Sequence, residues 1–103
     1  MKIYICKVTE VENAIDGTYT VYNDILKDEV VIIKTKDTSI KIFSNVCPHM
    51  AGLLKISKDK EMLICTWHGL KFEMTGKVTN CKAKLKLLEY QTSIENELIF
   101  INI

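Results

Sequence analysis

The sequence predicts an all-β domain, and three observations lead there. Short alternating or β-branched runs recur along the chain, as in Thr18 to Tyr22, Glu29 to Lys34 and Leu98 to Ile103. Helical periodicity is scarce over any stretch long enough to bury a face. Breaks rich in Asn, Asp, Thr and Gly separate the runs at intervals that suit an antiparallel sandwich or barrel. At 103 residues, the chain fits a single domain, 1–103, around one hydrophobic core.

Taken in order, Ile3 to Val8 reads as a strand, and Asn13 to Gly17 as a polar break. Thr18 to Tyr22 and Glu29 to Lys34 follow as strands, the latter with a buried-looking centre at Val30-Val31-Ile32-Ile33. Asp37-Thr38 suits a hairpin turn, because Asx and Thr side chains bond to nearby backbone, and Ile40 to Ser44 returns as the partner strand. Asn45 to Lys58 contains Pro48, the only proline, and Gly52, and reads as loop. Glu61 to Cys65 is a strand, His68-Gly69 a loop and Leu70 to Glu73 a strand. Thr75-Gly76 is a turn, since glycine supplies the positive φ that such turns use. Leu87 to Thr92 and Leu98 to Ile103 complete the strands, with Asn96 marking the hairpin between them. A helical turn over Val11 to Ile15 or Asn23 to Lys27 would leave the class unchanged.

Composition narrows the function classes. A hydrophobic fraction of 48% and a charged fraction of 26% are ordinary for a soluble globular protein. A net charge of +1 gives no field for nucleic acid or an anionic membrane. No apolar run is long enough to span a bilayer. Lys2 and Lys7 bracket only four apolar or aromatic residues, unlike a signal peptide, so the chain reads as cytoplasmic. No Gly-rich nucleotide loop is present, which argues against direct hydride acceptance from NAD(P)H.

The four cysteines and two histidines carry the chemistry. Every histidine is paired with a cysteine: Cys47-Pro48-His49, then fifteen residues, then Cys65-Thr66-Trp67-His68-Gly69. Such pairing is a metal-site pattern rather than a disulfide framework. Each loop offers one thiolate and one imidazole to a common point. Zinc takes a Cys₂His₂ set tetrahedrally, but zinc fingers pair cysteine with cysteine and histidine with histidine. The bland alternative, buried cysteines with core-satisfied histidines, requires four residues to fall into this pattern by chance.

Cys65-Thr66-Trp67-His68-Gly69-Leu70-Lys71-Phe72-Glu73-Met74-Thr75-Gly76 resembles the second loop and following hairpin of the Rieske family. There the pattern is Cys-Pro-Trp-His-Gly, an aromatic three residues on, and a Thr-Gly turn. Asn45-Val46-Cys47-Pro48-His49 resembles the family's first loop. The likeness runs from about Val30 to Ile103, while residues 9–29 align with nothing. It implies a Rieske-type antiparallel sandwich or barrel with a small cluster-binding subdomain, its loops at about 45–58 and 65–70. It further implies one 2Fe–2S cluster held by Cys47, His49, Cys65 and His68, with the cysteines on one iron and the histidines on the other. The histidine-bound iron would sit at the exposed tip. The intact ligand set argues against a degenerate fold without a cluster.

High-potential family members add two cysteines that cross-link the loops, and Ser and Tyr hydroxyls that donate to sulfur. The matching positions here are Gly52, Trp67, Leu70 and Phe72. Donors to sulfur stabilise the added electron, so their absence implies a potential near the low end of the Rieske range, about −150 mV. Cys6 reads as a small core residue. Cys81 sits in Asn80-Cys81-Lys82-Ala83, where family members carry a proline-bearing loop, and the ligand set is complete without it. Phe72 reads as core, and Trp67 as a lid packed over its loop. Lys82, Lys84 and Lys86 share one face if the segment is a strand. They form either a solvated face or, with Lys55 and Lys71, a docking patch for an acidic redox partner.

The resemblance thus implies a soluble one-electron carrier with no substrate site of its own. The expected role is the ferredoxin between a flavoprotein reductase and a terminal Rieske oxygenase. Its alternative is a small subunit of a larger oxidoreductase such as assimilatory nitrite reductase. A cluster-bearing sensory or structural module is the remaining class.

Overall fold

Val30, Val31, Ile32 and Ile33 are all at 0% exposure, so neither face of their strand meets water. The chain is organised around that fact. The computed structural model describes residues 1–14, 17–45, 54–57, 61–65, 69–79 and 87–103. Among these described residues, ten strands and one short helix follow in order: β1 (Lys2–Lys7), α1 (Val8–Glu12), β2 (Thr18–Asn23), β3 (Asp28–Lys34), β4 (Ile40–Ser44), β5 (Leu54–Ile56), β6 (Met62–Cys65), β7 (Lys71–Glu73), β8 (Glu89–Tyr90), β9 (Thr92–Glu95) and β10 (Leu98–Asn102). The class is all-β and antiparallel, as the sequence predicts.

The central sheet has the order β2-β3-β4-β8. Side chains alternate across it, so Val31, Ile33 and Phe43 point to one side and Val30, Ile32 and Ile42 to the other. The second side is covered by the sheet β1-β10-β9 and by α1, through Ile3, Ile5, Cys6, Ile99, Ile101 and Val11. The first side is covered by the sheet β5-β6-β7, through Leu54, Ile56, Leu63, Cys65 and Phe72. One core was expected; there are two, separated by the central sheet. Full burial stabilises each large aliphatic or aromatic side chain by about 1.5–3 kcal/mol, so both faces of β3 contribute.

Several element boundaries differ from the sequence reading. The strand expected from Ile3 to Val8 stops at Lys7, because Val8 opens a helical turn whose entry is held by the Lys7 N–H donating to the Glu10 carboxylate at 3.1 Å. That helix runs from Val8 to Glu12 rather than Val11 to Ile15, and Ile15 lies outside the described residues. Asn23 to Lys27 forms a hairpin turn, in which the Asn23 side chain accepts the Ile25 and Leu26 N–H groups at 3.0 Å each. Asn45 to Lys58 is not all loop: Leu54–Ile56 pairs with β6. The strand expected over Leu87 to Thr92 is instead two. Glu89–Tyr90 pairs with β4, and after Gln91 the chain changes sheet to pair Thr92–Glu95 with β10. A bulge between Tyr4 and Cys6 turns both Ile5 and Cys6 inward, which places Cys6 in the core at 2% exposure.

Gly76 is required for a steric reason. Its φ is +91°, and an added Cβ would lie 2.9 Å from the Leu87 carbonyl oxygen. Its own carbonyl accepts the Leu87 N–H at 2.8 Å, joining the turn after β7 to the start of the final β segment. Gly76→Ala is expected to destabilise by more than about 1 kcal/mol, read as a lower denaturation midpoint with unchanged slope.

Candidate metal centre

The site is built on β5, β6 and β7. Burial alternates strictly along each of these strands, with Leu54, Ile56, Leu63, Cys65 and Phe72 inward and Lys55, Lys71 and Glu73 outward. Leu54, the first residue of β5, stands in register with Cys65, the last residue of β6. Segments 46–53 and 66–68 therefore join the sheet at the same edge, on adjacent strands. These are the segments that contain Cys47, His49 and His68. The three residues, with Trp67, lie outside the described residues. Of the expected ligands, Cys65 is described: it is fully buried and forms no disulfide.

Backbone hydrogen bonds hold this edge. The Cys65 N–H donates to Leu70 O at 2.8 Å, and Gly69 N–H donates back to Cys65 O at 2.9 Å. Gly69 takes φ +69°, which lets the chain reverse within a few residues. On the first segment, the Asn45 side-chain oxygen accepts the Leu54 N–H at 2.9 Å. The third segment, 80–86, begins after Thr79, whose N–H and hydroxyl both donate to Lys71 O. It ends at Leu87, held against Gly76. Cys81, Lys82, Lys84 and Lys86 lie outside the described residues.

The floor beneath Cys65 is hydrocarbon. It consists of Val31, Ile33 and Phe43 from the central sheet, with Leu54, Leu63, Leu70, Phe72, Val78 and Leu87 around them. Phe72 is core at 0% exposure, as the sequence predicts, and Leu70 is buried at 8%. Neither carries a donor. A soft, low-dielectric floor with a thiol at its edge suits iron and sulfide, whose potential falls as donors to sulfur are removed. The donor set of two thiolates and two imidazoles matches the same group.

Two other features stand apart from this edge. Cys6 belongs to the opposite core, where burial, assisted by the charge of Glu10, pushes its thiol up to about 12. The thiolate is the metal-binding form, so Cys6 makes a poor ligand. A groove of about 520 Å³ is lined by Thr35, Lys36, Asp37, Lys41, Glu61 and Met74. It lies where β6 begins, away from Cys65. Its charges engage the protein itself, Lys36 with Glu61 at 2.8 Å and Lys41 with the Met74 carbonyl at 3.0 Å. Among the described residues, no helix is long and apolar enough to cross a membrane.

Comparison with known proteins agrees with this architecture. The family model described as "Rieske [2Fe-2S] domain" matches residues 1–91. The chain is similar to the carnitine monooxygenase oxygenase subunit of Acinetobacter baumannii, at 31% identity over 78% of this chain and 23% of that one. It is also similar to the cytochrome b6-f complex iron-sulfur subunit of Chlorobaculum thiosulfatiphilum, at 26% identity over 84% of this chain and 47% of that one. The chain thus spans about half, or less, of the length of these relatives. Among solved structures, the Sphingomonas yanoikuyae B1 ferredoxin superposes with a TM-score of 0.83 at 21% identity, covering 100% of this chain and 99% of that one.

Proposed function

Because the chain belongs to the Rieske [2Fe–2S] domain family and carries one cluster of that type, we propose that it is the soluble, cytoplasmic ferredoxin of a Rieske oxygenase system. In this reading, 1–103 is one domain, and Cys47, His49, Cys65 and His68 hold the cluster, cysteines on one iron and histidines on the other. The cluster supplies a one-electron couple when bound. The chain's own residues do the rest. Leu54, Leu70 and Phe72 exclude water from the buried side, and the absence of a hydroxyl at positions 70 and 72 keeps the potential low.

The observation that carries this reading is the extent of the likeness. The described fold superposes on the Sphingomonas yanoikuyae B1 ferredoxin with a TM-score of 0.83, against 0.75 for a chain described as a nitrite reductase small subunit. The partners are then a flavoprotein reductase and a terminal oxygenase. Lys55 and Lys71 are exposed on the outer face of the cluster sheet, each in register with Ile64 between them, and so about 10 Å apart. That row, beside the ligand edge, can steer an acidic partner.

The test is purification followed by reduction. The protein should isolate alone, show the EPR spectrum of a reduced Rieske cluster, and accept electrons from a flavoprotein reductase in turnover with a terminal oxygenase. Isolation in fixed ratio with a larger oxidoreductase would overturn the carrier reading in favour of a subunit.

A further inference from the structure

Asn45 is buried at 4% exposure, and all its described hydrogen bonds converge on the mouth of the first ligand segment. Its backbone N–H donates to Glu29 O at 2.8 Å. Its side-chain Nδ2 donates to Glu29 Oε1 at 2.6 Å. Its Oδ1 accepts the Leu54 N–H at 2.9 Å. Two of these bonds fasten Asn45 to β3 of the central sheet, and the third reaches across to the first residue of β5. Leu54 in turn stands opposite Cys65. One amide therefore fixes the two ends of segment 46–53 against each other and against the strand that ends in Cys65.

We propose that Asn45 is a positioning residue for the cluster, anchored by Glu29. It holds the ends of the segment bearing Cys47 and His49 in place relative to Cys65, and so governs cluster retention and the symmetry of its ligand field. This inference rests on the Rieske reading. The chemistry requires an amide. Leu54 presents an N–H and needs an acceptor; Glu29 presents a carboxylate and needs a donor. Asn supplies one of each on a short stem. Aspartate would keep the acceptor but set a second carboxylate against Glu29. Outer residues that orient ligands in this way change metal affinity by about 10–100-fold when replaced.

The experiment measures cluster release from oxidised holoprotein to a chelator, and the g-values of the reduced form. N45D is expected to release its cluster about tenfold faster than wild type, with shifted g-values. The double variant N45D/E29Q reverses donor and acceptor across the same bond. It should return release to within about twofold of wild type and restore the g-values. E29Q alone keeps an acceptor for Asn45 and should match wild type. Should N45D fail to accumulate, E29A at the exposed end of the anchor should still speed release. Wild-type release from N45D, or from E29A, overturns the inference, as does a double variant no slower than N45D. A wild-type protein without a Rieske spectrum would instead sink the functional reading, and that result is visible before any variant is made.

Discussion

His49→Ala and His68→Ala are each expected to yield protein without the Rieske spectrum, and with iron content reduced by more than about tenfold. The chain contains two histidines, so no spare imidazole can take over. Replacing an orienting neighbour of a ligand typically loses about 10–100-fold in affinity, and removing the ligand itself should lose at least as much. The fold should survive, because the described strands and α1 already supply two packed cores of Ile, Val, Leu, Phe and Cys side chains. Iron and sulfide per chain, with far-UV circular dichroism as the folding control, check the prediction. Cys6→Ala should retain the spectrum, since Cys6 lies in the core on the far side of the central sheet. Both histidine variants keeping a normal spectrum would remove the ligand assignment.

The second large effect concerns potential. The wild-type midpoint should lie below zero, and Phe72→Tyr and Leu70→Ser should each raise it. Phe72 pairs with Leu63 and faces the same core as Cys65, so a hydroxyl added there points into hydrocarbon. It must find sulfur or remain unpaired. A hydrogen bond favouring the reduced cluster by about 1.4 kcal/mol corresponds to about 59 mV for a one-electron couple. An unpaired buried hydroxyl instead costs about 1–3 kcal/mol of stability with no shift in potential. Voltammetry and denaturation together separate the outcomes. A wild-type midpoint well above zero would defeat the tuning argument.

The strands that lie between two layers were the most legible in sequence. Ile40–Ser44 matches its expected bounds, and β3 starts one residue before Glu29, because continuous β-branched runs have few alternative homes. Short elements were harder. Leu54–Ile56 has three residues, too few for alternation to stand out after Pro48 and Gly52. The change of sheet at Gln91 leaves no local mark, since it depends on which partner strands are near. The bulge at Ile5 puts Cys6 on the buried side with it, which simple alternation along the strand does not foretell. At the site, the Cys–His pairing is plain in sequence, because each pair falls within three or four residues, while Cys47, His49 and His68 lie outside the described residues. The Asn45–Glu29 bond is not plain there, because it joins positions sixteen apart. In sequence Asn45 stands out only as an amide two residues before Cys47.

The layered burial of β3 has a consequence before the native state exists. Val30-Val31-Ile32-Ile33 contains no Pro, Gly or charge, and its β-branched side chains suit the dry, interlocked pairing of aggregated strands. A strand with one polar face would present one sticky surface to a neighbouring chain; this one presents two until both covering sheets have docked. Asp28 and Glu29 precede the run, and Lys34 follows it. These charges stand where gatekeepers stand, too far out to disturb the core yet close enough to oppose stacking of identical segments. Replacing them with amides, as in D28N, E29Q and K34Q, would keep acceptors for Tyr90 and Asn45 in the finished fold while exposing nascent chains to self-association. The middle of the molecule is thus its safest region once assembled and its most hazardous one during synthesis.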